Sequence, residues 1–271
     1  MFANYHTHTF RCHHAKGEDR EYIEHAIASG FKVLGFADHC PWVYPYAYVS
    51  GSRMEPREVD GYFRSLTDLK KEYARDITIY IGFEAEYIPE LLEAQDKLLA
   101  GYPVDYMILG QHSVGAEPYA PYTGIPDDSE AALTAYVDSV IEGMETGRYV
   151  YLAHPDLFNF TGSPAVCDRE FRRLCRYLKE HDHPVEINLY GVRDGRNYTS
   201  ERFLAIARDM GNTAIIGCDA HTPSMLSDNG PIEKCLSLAE KFGLPVVEKL
   251  KGLDAAPPLT EPHDMTESFR F

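Results

Sequence analysis

Four of the first fourteen residues are histidine, His6, His8, His13 and His14, set in the segment NYHTHTFRCHH. Imidazole is the side chain best suited to hold a transition metal near neutral pH. These rings are spaced and embedded, unlike the uninterrupted run of a purification tag. Further along, Asp38 and His39, Glu84 and Glu86, His112, His154 and Asp156, and Asp219 and His221 recur as isolated acid and imidazole positions. Imidazole with carboxylate, and no closely spaced cysteine pair, suits zinc, manganese or iron. Ions held in this way activate water and stabilise anionic oxygens, which is the chemistry of metal-assisted hydrolysis.

Such residues act together only if the fold gathers them. Short apolar runs that read as strands cover residues 3–6, 33–37, 77–83, 104–110, 149–153, 184–188 and 213–217. Between them the apolar spacing turns helical. Val59, Phe63, Leu66, Leu69 and Tyr73 form one stripe, and Leu133, Val137, Val140, Ile141 and Met144 another, with Ser129 able to cap the start and Gly147 the end. Residues 18–29 and 200–210 repeat the pattern, each followed by glycine. Strands alternating with helices imply an α/β fold with parallel pairing and right-handed crossovers. A length of 271 residues fits one α/β barrel domain spanning 1–271. Residues 253–271 lose the periodicity and are expected to form a tail that covers the barrel or is partly disordered, and LPVVEKL before them is a candidate final strand.

Parallel barrels place their chemistry where strands end and βα loops begin. Strand one runs into His6, His8 and His14, strand two into Asp38 and His39, strand three into Glu84 and Glu86. Strand four leads to His112, strand five to His154 and Asp156, strand seven to Asp219 and His221. Residues two apart on a strand share a face, so His6 and His8 form one fork and Asp219 and His221 a second. His181 and His183 have the same spacing but precede strand six, which assigns them to the opposite end. His25 and His263 read as surface positions, and His13 points away from His14 if the segment is extended.

The formal net charge of −16 and the lack of a Lys/Arg cluster argue against a nucleic-acid platform or an anionic membrane partner. Six cysteines without a secretory leader read as free thiols, and a cytoplasmic location is expected.

The ordered segments HTHTFRCHH, FADH, GFEAEY, ILGQH, AHPD and GCDAH resemble the polymerase and histidinol phosphatase (PHP) domain family over residues 4–224, within it the histidinol-phosphatase branch. The resemblance implies a distorted seven-stranded (β/α) barrel and three divalent transition metal ions. It assigns His6, His8, Glu84 and Asp219 to the first ion, Glu84 as a bridge with His112 and His154 to the second, and His14, His39 and His221 to the third. Glu86 is then outside the ligand set. Arg193 matches an arginine of the histidinol phosphatases and is expected to bind substrate phosphate, with Arg196 a second candidate. In one departure from that branch, the loop HPDLFNFTG lacks basic residues after the aspartate.

The function implied is a metal-dependent phosphomonoesterase acting on histidinol phosphate by direct attack of metal-activated water, without a covalent protein intermediate. Asp38 and Asp156 are expected to orient ligand imidazoles. The loop with Trp42, Tyr44, Tyr46 and Tyr48 either walls the pocket or covers the barrel end. Alternatives are a phosphoesterase for another small phosphomonoester or a nucleotide phosphodiester, and a metal-binding scaffold without activity.

Overall fold

The computed structural model describes residues 3–253. Four strands, β1 (Ala3–Asn4), β2 (Val33–His39), β3 (Thr78–Ala85) and β4 (Tyr106–Leu109), lie side by side in chain order and pair in parallel. A second parallel pair joins β5 (Val185–Asn188) to β6 (Ala214–Gly217). Single-residue parallel bridges connect these sheets: Leu152 pairs with Leu109 on one side and Val185 on the other, and Thr7 pairs with Ala220. The four-stranded sheet is a half-barrel.

The helices return the chain between strands. They are α1 (Asp19–Ala28), α2 (Val59–Glu72), α3 (Pro89–Leu99), α4 (Glu130–Glu145), α5 (Pro164–Glu180), α6 (Leu189–Asp194), α7 (Glu201–Met210) and α8 (Asn229–Phe242). Their ends follow local chemistry. The Ser129 hydroxyl accepts from Ala132 N at 3.2 Å to start α4, Ser200 does the same for Phe203 N in α7, and Gly211 closes α7 at φ 74°. On α2 the face formed by Val59, Tyr62, Phe63, Leu66 and Leu69 is buried, each such side chain contributing about 1.5–3 kcal/mol relative to exposure.

Strand alternation sorts the core and the site together. Leu34 and Phe36 on β2, and Ile79, Ile81 and Phe83 on β3, pack in the large cluster shared with the helices. The opposite face, with Val33 and Ala37 on β2, Tyr80 on β3 and Tyr106 and Ile108 on β4, forms a smaller inner cluster. Two residues beyond Ala37 is His39, four beyond Tyr80 is Glu84, and two beyond Ile108 is Gly110, so the inner face continues into the polar rim.

Several expectations need correction. The run 149–153 is not a strand but one bridge residue, Leu152, although Tyr151 and Leu109 still exchange main-chain bonds with their neighbours. The extended run breaks at His154, which holds φ 29° before Pro155. β1 stops at Asn4 because the Asn4 carboxamide oxygen takes the N–H groups of Cys218 and His6, at 2.8 and 3.2 Å, that a longer ladder would use. The expected final strand is a single bridge, Val246 to Ala214. Helices α3, α5 and α8 were not singled out by the apolar spacing. Of the expected tail, Leu253 packs in the inner cluster, and 254–271, with His263, lie outside the described residues. The six cysteines are free and buried. Among the described residues no helix is long and apolar enough to cross a membrane.

Candidate metal centre

The two forks sit back to back. Thr7 and Ala220 face each other across a parallel bridge, so the residues on either side of each, His6 and His8, Asp219 and His221, turn to the same inner face. His6 Nε2 lies 3.6 Å and His8 Nε2 3.1 Å from Asp219 Oδ1. Both are 3.4 Å from Glu84 Oε2. Donors 2.0–2.1 Å from a tetrahedral ion stand about 3.3 Å apart, so these spacings are those of a ligand shell.

Glu84 is central. Its Oε2 faces His6, His8 and, at 3.2 Å, His39 Nδ1, whereas Oε1 faces His154 Nε2 at 2.8 Å and His112 Nε2 at 3.5 Å. One carboxylate thus addresses two groups of imidazoles. His14 Nε2 and His221 Nε2 approach to 2.9 Å, with His39 completing a third group. His6 Nε2, both ring nitrogens of His8, Glu84 Oε2 and His154 Nδ1 are buried without a hydrogen-bond partner. Buried polar atoms are ordinarily satisfied, so the unpartnered His6 Nε2 and His8 Nε2, both converging on the unpartnered Glu84 Oε2, fit a bound cation, whereas His8 Nδ1 and His154 Nδ1 are the far nitrogens of rings whose Nε2 faces Glu84. Cys12 also places its sulfur within 4.8 Å of His8 and His221 ligand atoms, and that sulfur accepts from Ala15 N at 3.3 Å.

Around the ring, other carboxylates fix which nitrogen faces inward. Glu186 Oε1 lies 2.8 Å from His6 Nδ1, leaving Nε2 for the centre. Glu86 Oε1 does the same for His112 Nδ1 at 2.9 Å, and Asp38 Oδ1 stands 3.5 Å from His8 Nδ1. Two glycines make room: a Cβ at Gly110 would fall 1.9 Å from Glu84 Oε1, and one at Gly217 1.8 Å from Glu186 Oε1. His154 and Asp219 hold φ values of 29° and 48°, a strain of about 1–3 kcal/mol each. Glu186 Oε2 bonds His154 N at 2.7 Å and the Asn188 amide bonds Asp219 Oδ2 at 3.1 Å, which holds both in place.

The electrostatics separate two kinds of imidazole. Burial disfavours the charged form of His6, but Glu186, Asp219 and Glu84 outweigh it and hold its pKa well above the ordinary value. His8 behaves alike, burial being overcome by Asp219, Asp38 and Glu84, which raise it to about 9. Burial and the neighbouring His8 push His39 well down and His221 to about 3, so these rings keep free lone pairs. Burial raises the Glu84 carboxyl, yet His112, His6, His39 and His154 outweigh it and keep it ionised. The ionised Glu84 thus stands between rings held charged by their carboxylates, His6 and His8, and rings kept neutral by burial, His39 and His221.

All nine expected ligands meet here: His6, His8, His14, His39, Glu84, His112, His154, Asp219 and His221. His13 turns away at φ 68° toward Glu58. A cavity of about 380 Å³ opens over the ring, walled by Tyr122, Tyr190, Tyr198, Arg53, Glu117 and Arg196. Arg196 lines it, its guanidinium bonding only the Tyr190 hydroxyl at 3.0 Å among the described residues, whereas Arg193 lies outside the lining and pairs with Asp194 at 2.7 Å. Asp156 turns to Ser200 N at 2.7 Å and secures the start of α7. Trp42 is buried and donates to Glu86 Oε2 at 3.1 Å, so its loop both covers the barrel end and reaches the site. Glu186 and Arg53 were missed. Glu186 was visible as one acid inside the apolar run PVEIN, a position that alternation turns inward.

Residues 4–189 match the PHP domain family. The chain belongs to that family. Among curated PHP relatives, histidinol-phosphatase of Bacillus subtilis is 30% identical over 248 residues, covering 80% of this chain and 92% of that protein. A probable histidinol-phosphatase of Deinococcus radiodurans is 26% identical over 224 residues, covering 80% and 85%. A crystal structure of histidinol phosphate phosphatase from Lactococcus lactis, complexed with zinc, L-histidinol and phosphate, matches with a TM-score of 0.72 over 93% of this chain and 97% of that one. At 20% identity this is a likeness of fold.

Proposed function

We propose that this chain is a metal-dependent phosphomonoesterase that hydrolyses histidinol phosphate to histidinol and phosphate. The observation that carries the reaction is the ring of buried, unpartnered ligand atoms around Glu84. The substrate rests on curated relatives named histidinol-phosphatase that align over most of both chains. We read the two sheets and their bridges as one distorted seven-stranded barrel whose fifth strand has shrunk to Leu152.

Three divalent ions fit the donors. His6, His8, Glu84 and Asp219 would hold the first, Glu84 with His112 and His154 the second, and His14, His39 and His221 the third. When bound, such ions supply an activated water and neutralise phosphoryl charge. Glu84 spans two sites with its separate oxygens. Glu186, Glu86 and Asp38 orient His6, His112 and His8, and Asp156 steadies the loop behind His154. Arg196, a cation on the pocket wall without an acidic partner among the described residues, binds the phosphate. Tyr122, Tyr190 and Tyr198 offer flat walls to an aromatic ring. Since residues 157–162 contain no basic side chain, Arg196 takes the role a cation there would have.

Side-by-side kcat/KM values on histidinol phosphate, an aryl phosphate and a dinucleotide test the substrate, and chelation with metal add-back tests the mechanism. The expected result is a clear preference for histidinol phosphate that vanishes with the metal. Equal turnover of the aryl phosphate would remove the histidinol assignment. Arg196→Ala is expected to raise KM more than Arg193→Ala.

A further inference from the structure

Arg53 is a cation on the wall of a cavity read as a phosphate site, yet it has no donor to offer a phosphate. All five of its N–H groups are already engaged. Nε bonds Glu117 Oε2 at 3.2 Å, Nη1 bonds Cys40 O at 3.2 Å and Glu86 Oε2 at 3.0 Å, and Nη2 bonds Glu86 Oε1 at 3.0 Å and Glu117 Oε1 at 3.1 Å. The residue is 4% exposed.

Its two carboxylates look in opposite directions. Glu86 reaches inward to His112 Nδ1, and so determines that Nε2 of this ring faces Glu84. Glu117 reaches outward, accepting from the Tyr44 hydroxyl at 2.9 Å, while its main-chain oxygen accepts from Tyr46. Tyr44 stacks on Tyr46, and Tyr46 meets Tyr119 edge to face. The loop after β2 and the loop after β4 are therefore joined through one guanidinium to one imidazole of the ring.

We propose that Arg53 is a positioning residue for the site containing His112: it pins Glu86 so that His112 presents Nε2 inward, and through Glu117 it ties that presentation to the tyrosine-bearing loops at the pocket mouth. This rests on His112 being a metal ligand. The planar fork matters, because a guanidinium grips both carboxylates with two bonds each and still donates to Cys40 O, whereas an ammonium has three donors for the same five acceptors.

The test is zinc titration of the metal-free protein against a chromophoric chelator, for wild type, Arg53→Met, Arg53→Lys, His112→Ala and the double variant Arg53→Lys/His112→Ala. Arg53→Met is expected to weaken one zinc site by roughly 10–100-fold and leave the others within about twofold. Arg53→Lys, which keeps the buried charge should the Met variant not fold, is expected to weaken the same site by roughly 3–10-fold. In the double variant the lysine should add nothing to the loss caused by His112→Ala, a non-additivity that a general structural role would not give. Wild-type affinities in Arg53→Lys, equal weakening of every site, or additive losses would each overturn the proposal. A wild-type chain that retains no zinc would instead overturn the metal-dependent reading itself.

Discussion

Under His6, the Glu186 carboxylate is held by the Tyr151 hydroxyl at 3.2 Å, the main-chain N–H of His154 at 2.7 Å and the Asn188 amide at 2.9 Å, all uncharged. Beside His112, the Glu86 carboxylate is held by the Arg53 guanidinium and the Trp42 indole. Both acids perform one task, directing an imidazole, and both are buried. They differ in where they stand. Glu186 lies within a strand, where rigid neighbours on adjacent segments supply short neutral donors. Glu86 lies just past the end of β3, where partners arrive from loops and a long charged side chain spans the distance. The interior acid is thus satisfied by neutral donors fixed on its own and neighbouring segments, whereas the rim acid takes a counter-ion, with the desolvation cost that a buried ion pair carries.

The comparison breaks most visibly at Glu186. Glu186→Ala strands four polar partners at once and is expected to lower unfolding free energy by about 3–5 kcal/mol and kcat/KM by roughly 100-fold. Urea denaturation of the metal-free protein and steady-state kinetics would measure these, and a near-wild-type midpoint would show that the strand-borne cradle matters little. Gly217→Ala pushes a methyl against the same carboxylate and should cost about 1–3 kcal/mol, read as a lower melting temperature. Its effect should fall on His6 and His154, the two histidines that the Glu186 carboxylate holds, so unchanged zinc affinity would count against the division. Asp38→Asn keeps the shape beside His8 but removes the charge. It is expected to weaken zinc binding by roughly 10-fold with little change in thermal stability. Least affected should be Trp42→Phe, since Glu86 retains both Arg53 bonds. About 0.5–1.5 kcal/mol of stability and a less than threefold change in kcat are expected. A larger loss would mean that the indole, not the guanidinium, anchors Glu86.

The ring of imidazoles and carboxylates was legible because parallel strands with helical returns convert sequence position into place. A polar residue just past an apolar run must emerge at one rim, and HxH or DxH spacing puts both members on one face. His13 turns away from His14 by a different route, a left-handed φ of 68° after the turn at Phe10–Cys12 and not the alternation of an extended segment. What lay outside that rule was missed or misplaced. Glu186 sits inside its run, and a rule that reads only the residues past each strand's end passes over it although alternation turns it inward. Arg53 lies far along a loop, and its partners Glu86 and Glu117 come from two other segments, so no spacing announces it. Arg193 and Arg196 are three residues apart, and only the short helix α6 and the turn after it decide that Arg196 reaches the cavity. The run 149–153 is as apolar as the strands, but only Leu152 pairs as a bridge and the positive φ at His154 ends the run.

The bridge between Thr7 and Ala220 has a consequence for biogenesis. The two halves of the innermost cage stand more than two hundred residues apart, joined by His8 N to Ala220 O at 3.0 Å and Ala220 N to His6 O at 3.3 Å. A ribosome must therefore release more than two hundred further residues after His8 before these first histidines meet the aspartate that faces them. Until then His6 and His8 are imidazoles with no assembled shell, and the cage closes only when the segment around Asp219 docks against them.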